Sequence, residues 1–294
     1  MTVFLAVVDS GGFAAASRQL NLSAPTITRA IAAIELRVGA ELFVRTTRFV
    51  RLTDAGARYL GHCRRIVRDL EESEARAAGA HLAPQGTLVI AAPILFGQRL
   101  LLPLLVEFLR AFPAVSARAL LVDRTIQLDE EGVDAAFRMG PLPDSALVAT
   151  TLGHVRRVLV ASPAYLAQLG RPQRPSELTT HAIVASAADG RSDRWIFEDG
   201  AQQVDVDIAP RLIVSTNEAA ILAAEAGVGL TRVMSYQIEE SLRAGRLERV
   251  LQQHESAPLP VSLVTLEGRH GAAKLRSFVS FVAERLRGHP ALLG

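Results

Sequence analysis

A chain of 294 residues, 49% hydrophobic and 21% charged, is long enough for two or three compact units with their own cores and too apolar for a disordered tail. Its formal net charge of +2 hides an asymmetry: the first 68 residues hold ten Arg against four carboxylates, a balance of +6, which leaves −4 for the rest. Cys63 is the only cysteine, which excludes an intramolecular disulfide and a cysteine metal cluster and favours a reducing compartment.

The predicted elements begin with a helix over Phe4-Leu5 and Val7-Val8, broken by Gly11-Gly12. A second helix runs from Phe13 to Leu20 with Phe13, Ala16, Ser17 and Leu20 inward, and only Asn21-Leu22-Ser23 separates it from a third. In that third helix Ile27, Ile31 and Ile34 form one apolar stripe at the helical period, widened by Ala30. Ser23 can cap its start, and Pro25 is tolerated in a first turn where its missing N–H is not needed. Outward lie Ala24, Pro25, Thr28 and Arg29: small groups that allow close approach, a hydroxyl, and a guanidinium able to fork onto guanine or bind phosphate.

Taken singly, that helix reads as an ordinary surface helix with one Arg. Two helices joined so tightly, with Leu22 pinned between their stripes, instead make a helix-turn-helix whose second helix enters the major groove. Leu42-Phe43-Val44-Arg45, Thr46-Thr47 and Arg48-Phe49-Val50-Arg51-Leu52 read as a small hairpin, with three Arg on or beside its tip where a wing reaches phosphates or a minor groove. The candidate contacts to double-stranded DNA are Ser23, Ala24, Pro25, Thr26, Thr28, Arg29, Arg45, Thr47, Arg48 and Arg51.

These residues resemble a known family. Asp9-Ser10-Gly11-Gly12-Phe13-Ala14-Ala15-Ala16, Leu22-Ser23-Ala24-Pro25, Thr28-Arg29-Ala30-Ile31, Glu35, Gly39, Leu42-Phe43-Val44-Arg45 and Leu52-Thr53-Asp54-Ala55-Gly56 are similar to the winged helix-turn-helix of LysR-type transcriptional regulators. Gly12 stands where that family usually has Ser, so a hydroxyl cap on the second helix is missing. Ala24 stands where Gln is frequent, which puts a base contact from that position in question. The chain starts directly on the first helix, which leaves an upstream start open.

Thr53 can cap a helix that Asp54 favours at its start and that runs to about His81. Within it Tyr59, Cys63, Ile66, Leu70, Ser73, Ala77 and Ala80 recur in alternating steps of four and three, a heptad seam on an otherwise charged helix of about 40 Å. Such a seam either packs on its own domain or pairs two subunits. The resemblance implies the second: a linker helix that dimerises the protein through Tyr59, Cys63, Ile66 and Leu70, with a tetramer as the next order of assembly.

His81 to Gly86 is rich in chain breakers, and strands and helices alternate beyond it. Strands are predicted over Thr87–Ala92, Val115–Val122, Val133–Arg138 and Val155–Ala161, with helices over Phe96–Phe112 and Ile126–Glu131 and a new helix starting at Ser162-Pro163. Further strands fall on Ile183-Val184, Trp195–Phe197, Val204–Ile208, Leu212–Val214, Gly229–Thr231 and Val261–Thr265, with helices over Asn217–Ala226 and Ala272–Leu286. The pattern is that of a parallel sheet covered by helices, in two α/β lobes.

Several pieces resemble the effector domain of the same family: Pro84-Gln85-Gly86-Thr87-Leu88, Asp123-Arg124, Arg138-Met139-Gly140, and Ser162-Pro163-Ala164-Tyr165-Leu166 with Gly170, Pro172, Pro175, Leu178 and His181. The resemblance implies an α/β protein with an all-α-type winged helix-turn-helix head over 1–54, a linker helix over 55–81 and an effector-binding domain over 87–290 resembling type 2 periplasmic binding proteins. Lobe I is expected over 87–160 and 266–288, and lobe II over 161–265.

In open sheets a ligand lies beyond the carboxyl ends of the strands, at helix N-termini. Two such starts are visible, which makes Pro93, Ile94, Leu95, Phe96, Ser215 and Asn217 candidate effector contacts. Ser215 and Asn217 equally suit helix capping, and Arg138 either binds a carboxylate or closes a sheet edge. With Ile94-Leu95-Phe96 where family members that bind carboxylates often carry a hydroxyl, the expected effector has an apolar body and at most one anionic end, as in a hydrophobic or aromatic acid.

The seven His are scattered without metal-ligand spacing, and no phosphate loop, nucleophile elbow or dinucleotide fingerprint appears. No metal and no cofactor is expected. Leu82 to Gln98, the longest uncharged apolar run, is interrupted by Pro84, Gly86, Pro93 and Gly97 and makes a poor membrane span. With no basic n-region followed by a cleavage site, the expected protein is a cytoplasmic DNA-binding regulator. A periplasmic-type solute-binding protein is the second reading, and an enzyme the third.

Overall fold

Three helices and a hairpin build the head: α1 (Thr2–Asp9), α2 (Phe13–Leu20), α3 (Ala24–Val38), and the antiparallel pair β1 (Phe43–Arg45) and β2 (Val50–Leu52), followed by α4 (Asp54–Ala77). The structure, a computed structural model, describes residues 1–45, 50–77, 83–142, 147–189, 194–199, 202–266 and 273–294. The chain divides into two compact units, Met1–Ala83 with Ile126–Val133, and Pro84–Thr125 with Asp134–Gly294. The predicted extension of α4 to His81 falls outside the described residues.

The head folds around the stripe expected from its spacing. Ile27, Ile31 and Ile34 are buried with Phe4, Val7, Ala16, Leu42, Phe43 and Cys63. Phe4 meets Phe43 and Tyr59 at ring separations of 5.3 and 5.0 Å, so α1 ties the hairpin to α4. No side chain caps α2 at Gly12, as expected. The chain leaves α2 through Asn21 in the left-handed conformation, φ 54°, a region Asn tolerates better than most residues. Leu22 departs from expectation: it is 40% exposed, and the turn is held by its backbone, whose N–H donates to the Ser17 carbonyl at 3.1 Å.

The second unit contains two five-stranded sheets. The first, in the order β4-β3-β5-β14-β6, uses β3 (Gly86–Ala92), β4 (Val115–Leu121), β5 (Ala135–Met139), β6 (Leu147–Val155) and β14 (Leu259–Leu266). The second, β11-β8-β12-β7-β13, uses β7 (Arg157–Ala161), β8 (Ile183–Ser186), β11 (Pro210–Val214), β12 (Leu230–Met234) and β13 (Glu248–Val250). A separate hairpin joins β9 (Arg194–Asp199) to β10 (Gln202–Asp207).

Both sheets are mixed rather than purely parallel. In each, three strands run parallel and the others, β14 and β6 in the first and β7 and β13 in the second, pair antiparallel. The chain crosses between sheets at Arg156 and again between Val250 and Leu259, so Arg157–Ala161 belongs to the second sheet and Leu259–Leu266 to the first. The sheet boundaries therefore lie earlier than the expected 160/161 and 265/266. Arg156 also ties the two crossings, donating from Nη1 to the Ser256 carbonyl at 3.4 Å.

The helices of this unit are α5 (Ile94–Phe96), α6 (Leu102–Ala111), α7 (Pro163–Leu169), α8 (Asn217–Glu225), α9 (Glu239–Arg243) and α10 (Ala273–Leu286). A π-helical turn over Gly97–Leu101 joins α5 to α6. Gly97 makes a close approach there: a Cβ would stand 2.2 Å from a Leu121 side-chain carbon, so a larger residue would force the Leu121 side chain to move. The helix expected over Ile126–Glu131 is instead a turn, closed by the Glu131 N–H on the Gln127 carbonyl at 3.0 Å and the Val133 N–H on the Leu128 carbonyl at 2.9 Å, with Gly132 at φ 67°. So short a segment forms too few internal bonds to nucleate a helix by itself.

Candidate DNA-binding surface and effector cleft

The N-terminal turn of α3 is held by its own chemistry. Ser23 Oγ accepts from the Thr26 N–H at 3.3 Å and lies 2.8 Å from the Thr26 hydroxyl, and Pro25 sits inside the first turn. With three isoleucines buried behind it, Ser23, Ala24, Pro25, Thr26, Thr28 and Arg29 are all exposed together. Thr28 donates to the Ala24 carbonyl at 3.0 Å and Arg29 Nε to the Pro25 carbonyl at 3.4 Å. Both are local bonds that a nucleic-acid acceptor can replace.

Of the wing residues, Arg51 is exposed on β2 and Arg45 lies at the end of β1. Thr47 and Arg48 lie outside the described residues. A residue that spacing did not single out for a role joins helix to wing: Glu35 Oε1 accepts from the N–H of Leu42 at 2.9 Å and of Phe43 at 3.3 Å. Its position one turn before the Gly39 helix end was the available signal.

The heptad seam splits in two. Cys63 is 1% exposed inside the head core and Tyr59 packs edge-on against Phe4, so these two serve their own domain. Burial pushes the Tyr59 phenol and the Cys63 thiol above their ordinary pKa values, which keeps both neutral in that core. Ile66 and Leu70, by contrast, are 50% and 55% exposed.

In the second unit a cleft of about 710 Å³ opens between the two sheets. It is lined by Ile94, Val122, Asp123, Arg124, Thr125, Ala187, Ala188 and Ser215. Only two of the predicted residues, Ile94 and Ser215, are among them. Leu95 and Phe96 are buried in the core, Phe96 against Phe137 at 4.9 Å and Tyr236 at 5.6 Å, because the α5 face that carries them turns inward. Pro93 precedes the helix at its N-cap, and Arg138 sits on β5 opposite Ser262, neither of them in the cleft lining. Thr216, not Ser215 or Asn217, caps α8 by accepting from the Ala219 N–H at 3.2 Å, and Asn217 is 6% exposed.

The cleft residues that the spacing missed all stand just past strand ends. Val122 to Thr125 follow β4, and Ala187 and Ala188 follow β8; both strands run parallel to their neighbours, where the carboxyl-end rule applies. Asp123 changes the chemistry of the site: its Oδ1 accepts from the Ile94 N–H at 2.9 Å. The Ile94 N–H at the start of α5 is thereby occupied by a carboxylate of the protein. Among the described residues no group of three or more His, Cys, Asp or Glu is placed to hold a metal ion, and no helix is long and apolar enough to cross a membrane.

A winged helix-turn-helix joined through one long helix to a two-lobed α/β domain with an interlobe cleft defines a DNA-binding transcriptional regulator that responds to a small molecule. Residues 1–57 match the family model for the bacterial regulatory helix-turn-helix protein, lysR family, and residues 81–287 that for the LysR substrate binding domain. The chain belongs to the LysR family. It is 33% identical to an HTH-type transcriptional regulator of Xanthomonas campestris pv. campestris over 97% of this chain and 84% of that one. Among solved structures, CrgA of Neisseria meningitidis, a LysR-type transcriptional regulator, is 31% identical with a TM-score of 0.64 over 97% of both chains. The Vibrio cholerae virulence activator AphB is 27% identical with a TM-score of 0.66 over 96% of this chain and 97% of that one. Relatives that are transcriptional regulators point away from an enzyme.

Proposed function

We propose that the exposed first turn of α3 reads the major groove through Thr28 and Arg29, with Arg45, Thr47, Arg48 and Arg51 of the wing on the phosphate backbone. Ser23, Ala24, Pro25 and Thr26 bring the helix close. The single observation that supports this reading is the opposition of a fully buried Ile27-Ile31-Ile34 stripe to a small, polar, exposed turn carrying one guanidinium. A mobility shift tests it, using DNA flanking the regulator's own gene against random DNA of equal length. Arg29→Ala weakens specific binding by about 1–3 kcal/mol and relaxes preference at one base pair, if Arg29 reads a base edge. Equal losses on both DNAs would place Arg29 on phosphate.

Ile66 and Leu70 of α4 form the apolar contact between two copies of the chain, giving a dimer, and pairs of dimers give a tetramer. Half-exposed aliphatic side chains at heptad spacing on a charged helix support this reading. Ile66→Asp with Leu70→Asp would bury charges against their symmetry mates, so the double variant shifts towards monomer in sedimentation. An unchanged oligomer removes α4 as the main interface.

The interlobe cleft is the effector site, with Ile94, Val122, Ala187 and Ala188 against the apolar body of the ligand and Asp123 and Ser215 at its polar end. Effector binding biases the relation of the two lobes and through α4 the spacing of paired heads, in the cytoplasm.

A further inference from the structure

In the cleft, Asp123 spends only one of its two carboxylate oxygens. Oδ1 accepts from the Ile94 N–H at 2.9 Å, and among the described residues the side chain has no other hydrogen-bond or ion-pair partner. Across the cleft the Ser215 hydroxyl is likewise without a partner among the described residues. A second carboxylate, Glu218, occupies the first turn of α8 just beyond Ser215, so both helix starts near the cleft carry negative charge of the protein's own. The one cation of the lining, Arg124, is exposed and donates from Nη1 to the Thr125 carbonyl at 3.5 Å, whereas Asp123 is half-buried. Charge in the less exposed position is screened less by water and salt and dominates selection. A carboxylate ligand placed at the Ile94 N–H would have to displace Asp123 or lie against it.

We propose that the cleft takes a small molecule with an apolar body and a hydrogen-bond donor at its polar end, a protonated amine or a hydroxyl bound by Asp123, and that it rejects organic anions. This rests on the reading of the cleft as the effector site, and it replaces the hydrophobic acid expected from the sequence.

Three probes of one shape test it on the full chain by calorimetric titration: tryptamine, tryptophol and indole-3-acetate. The protein binds tryptamine at least about tenfold tighter than indole-3-acetate, because the first is paired with a carboxylate and the second faces one. Tryptophol binds as well, and Asp123→Asn, which keeps an oxygen for the Ile94 N–H, leaves tryptophol in place while bringing the amine and the acid to within about threefold of each other. Ala187→Trp, an exposed lining position, fills the cleft and abolishes binding of all three. Indole-3-acetate binding the unmodified protein as tightly as tryptamine, and lost in Ala187→Trp, overturns the donor assignment while leaving the cleft as the site. A preference for tryptamine that survives Ala187→Trp overturns the cleft itself. Absence of binding by all three probes at millimolar concentration also overturns the proposal. The unmodified protein alone decides the sign of the preference, so the outcome does not depend on the Asn variant folding.

Discussion

Phe108→Ala lowers the unfolding free energy of the effector domain by about 3–5 kcal/mol, the range for truncating a fully buried aromatic side chain. Phe108 is completely buried on α6, with ring centroids 4.7 Å from Phe112, 5.3 Å from Phe278 and 5.4 Å from Phe281. It thus joins α6 to α10, which arrive from distant parts of the chain, and a cavity there cannot close by a local shift. In a domain of this size the loss corresponds to a melting decrease of roughly 6–20 °C. Phe281→Ala costs less, because that ring is only partly buried and is covered on one face by the Arg285 guanidinium, 3.4 Å from its centroid. Chemical denaturation of both variants checks the order; a Phe108→Ala loss under about 1 kcal/mol would mean that the surrounding rings collapse into the gap.

What the spacing could reveal depended on whether a residue's partner was near in sequence. Ile27, Ile31 and Ile34 were legible because one helix face meets one core, and the Ser23 cap because its acceptor lies three residues from its donor. The heptad of α4 was legible as a stripe, but its division was not: Tyr59 and Cys63 are claimed by Phe4 and its neighbours, which lie more than fifty residues away, while Ile66 and Leu70 are left out. β6 went unseen because it is an edge strand, Leu147 to Val155, whose Thr, Gly and His residues alternate weakly and pair only with β14. The crossings at Arg156 and before Leu259 were expected a few residues too late, at 160/161 and 265/266, because a strand that changes sheets keeps the same apolar pattern.

The cleft was legible by rule and missed in detail. The carboxyl ends of parallel strands locate it, yet the expectation followed helix starts alone and so found Ile94 and Ser215 while passing over Asp123, which stands two residues beyond β4. Leu95 and Phe96 were carried along as neighbours of Ile94, although apolar side chains at successive helical positions point to different faces and these two point into the core. The pairing of the Ile94 N–H was hidden for the same reason, because its acceptor Asp123 stands twenty-nine residues on.

Glu35→Ala frees the wing from α3. The Glu35 carboxylate receives the N–H groups of Leu42 and Phe43, both buried, and its backbone carbonyl also accepts from the Gly39 N–H at 2.8 Å, so one residue fixes the end of α3 and the entry to β1. Truncation leaves two buried donors without that acceptor, and hydrogen bonds to a charged group are worth about 1.5–3 kcal/mol each. The local opening free energy therefore falls by about 3 kcal/mol, and the Leu42 and Phe43 amides exchange with solvent roughly 100-fold faster. Glu35→Gln keeps an acceptor oxygen and loses only the charge, so its exchange lies between the two. On DNA, Glu35→Ala weakens operator and random sequences alike and flattens the salt dependence by about one unit of slope for each phosphate contact the wing gives up. The α3 turn that carries Arg29 stays in place, since its cap and its three isoleucines are untouched, and base preference is retained. Unchanged exchange at Leu42 and Phe43 would show that β1 is positioned by its pairing with β2 and by the Phe4–Phe43 contact alone, and DNA affinity would then be unchanged as well.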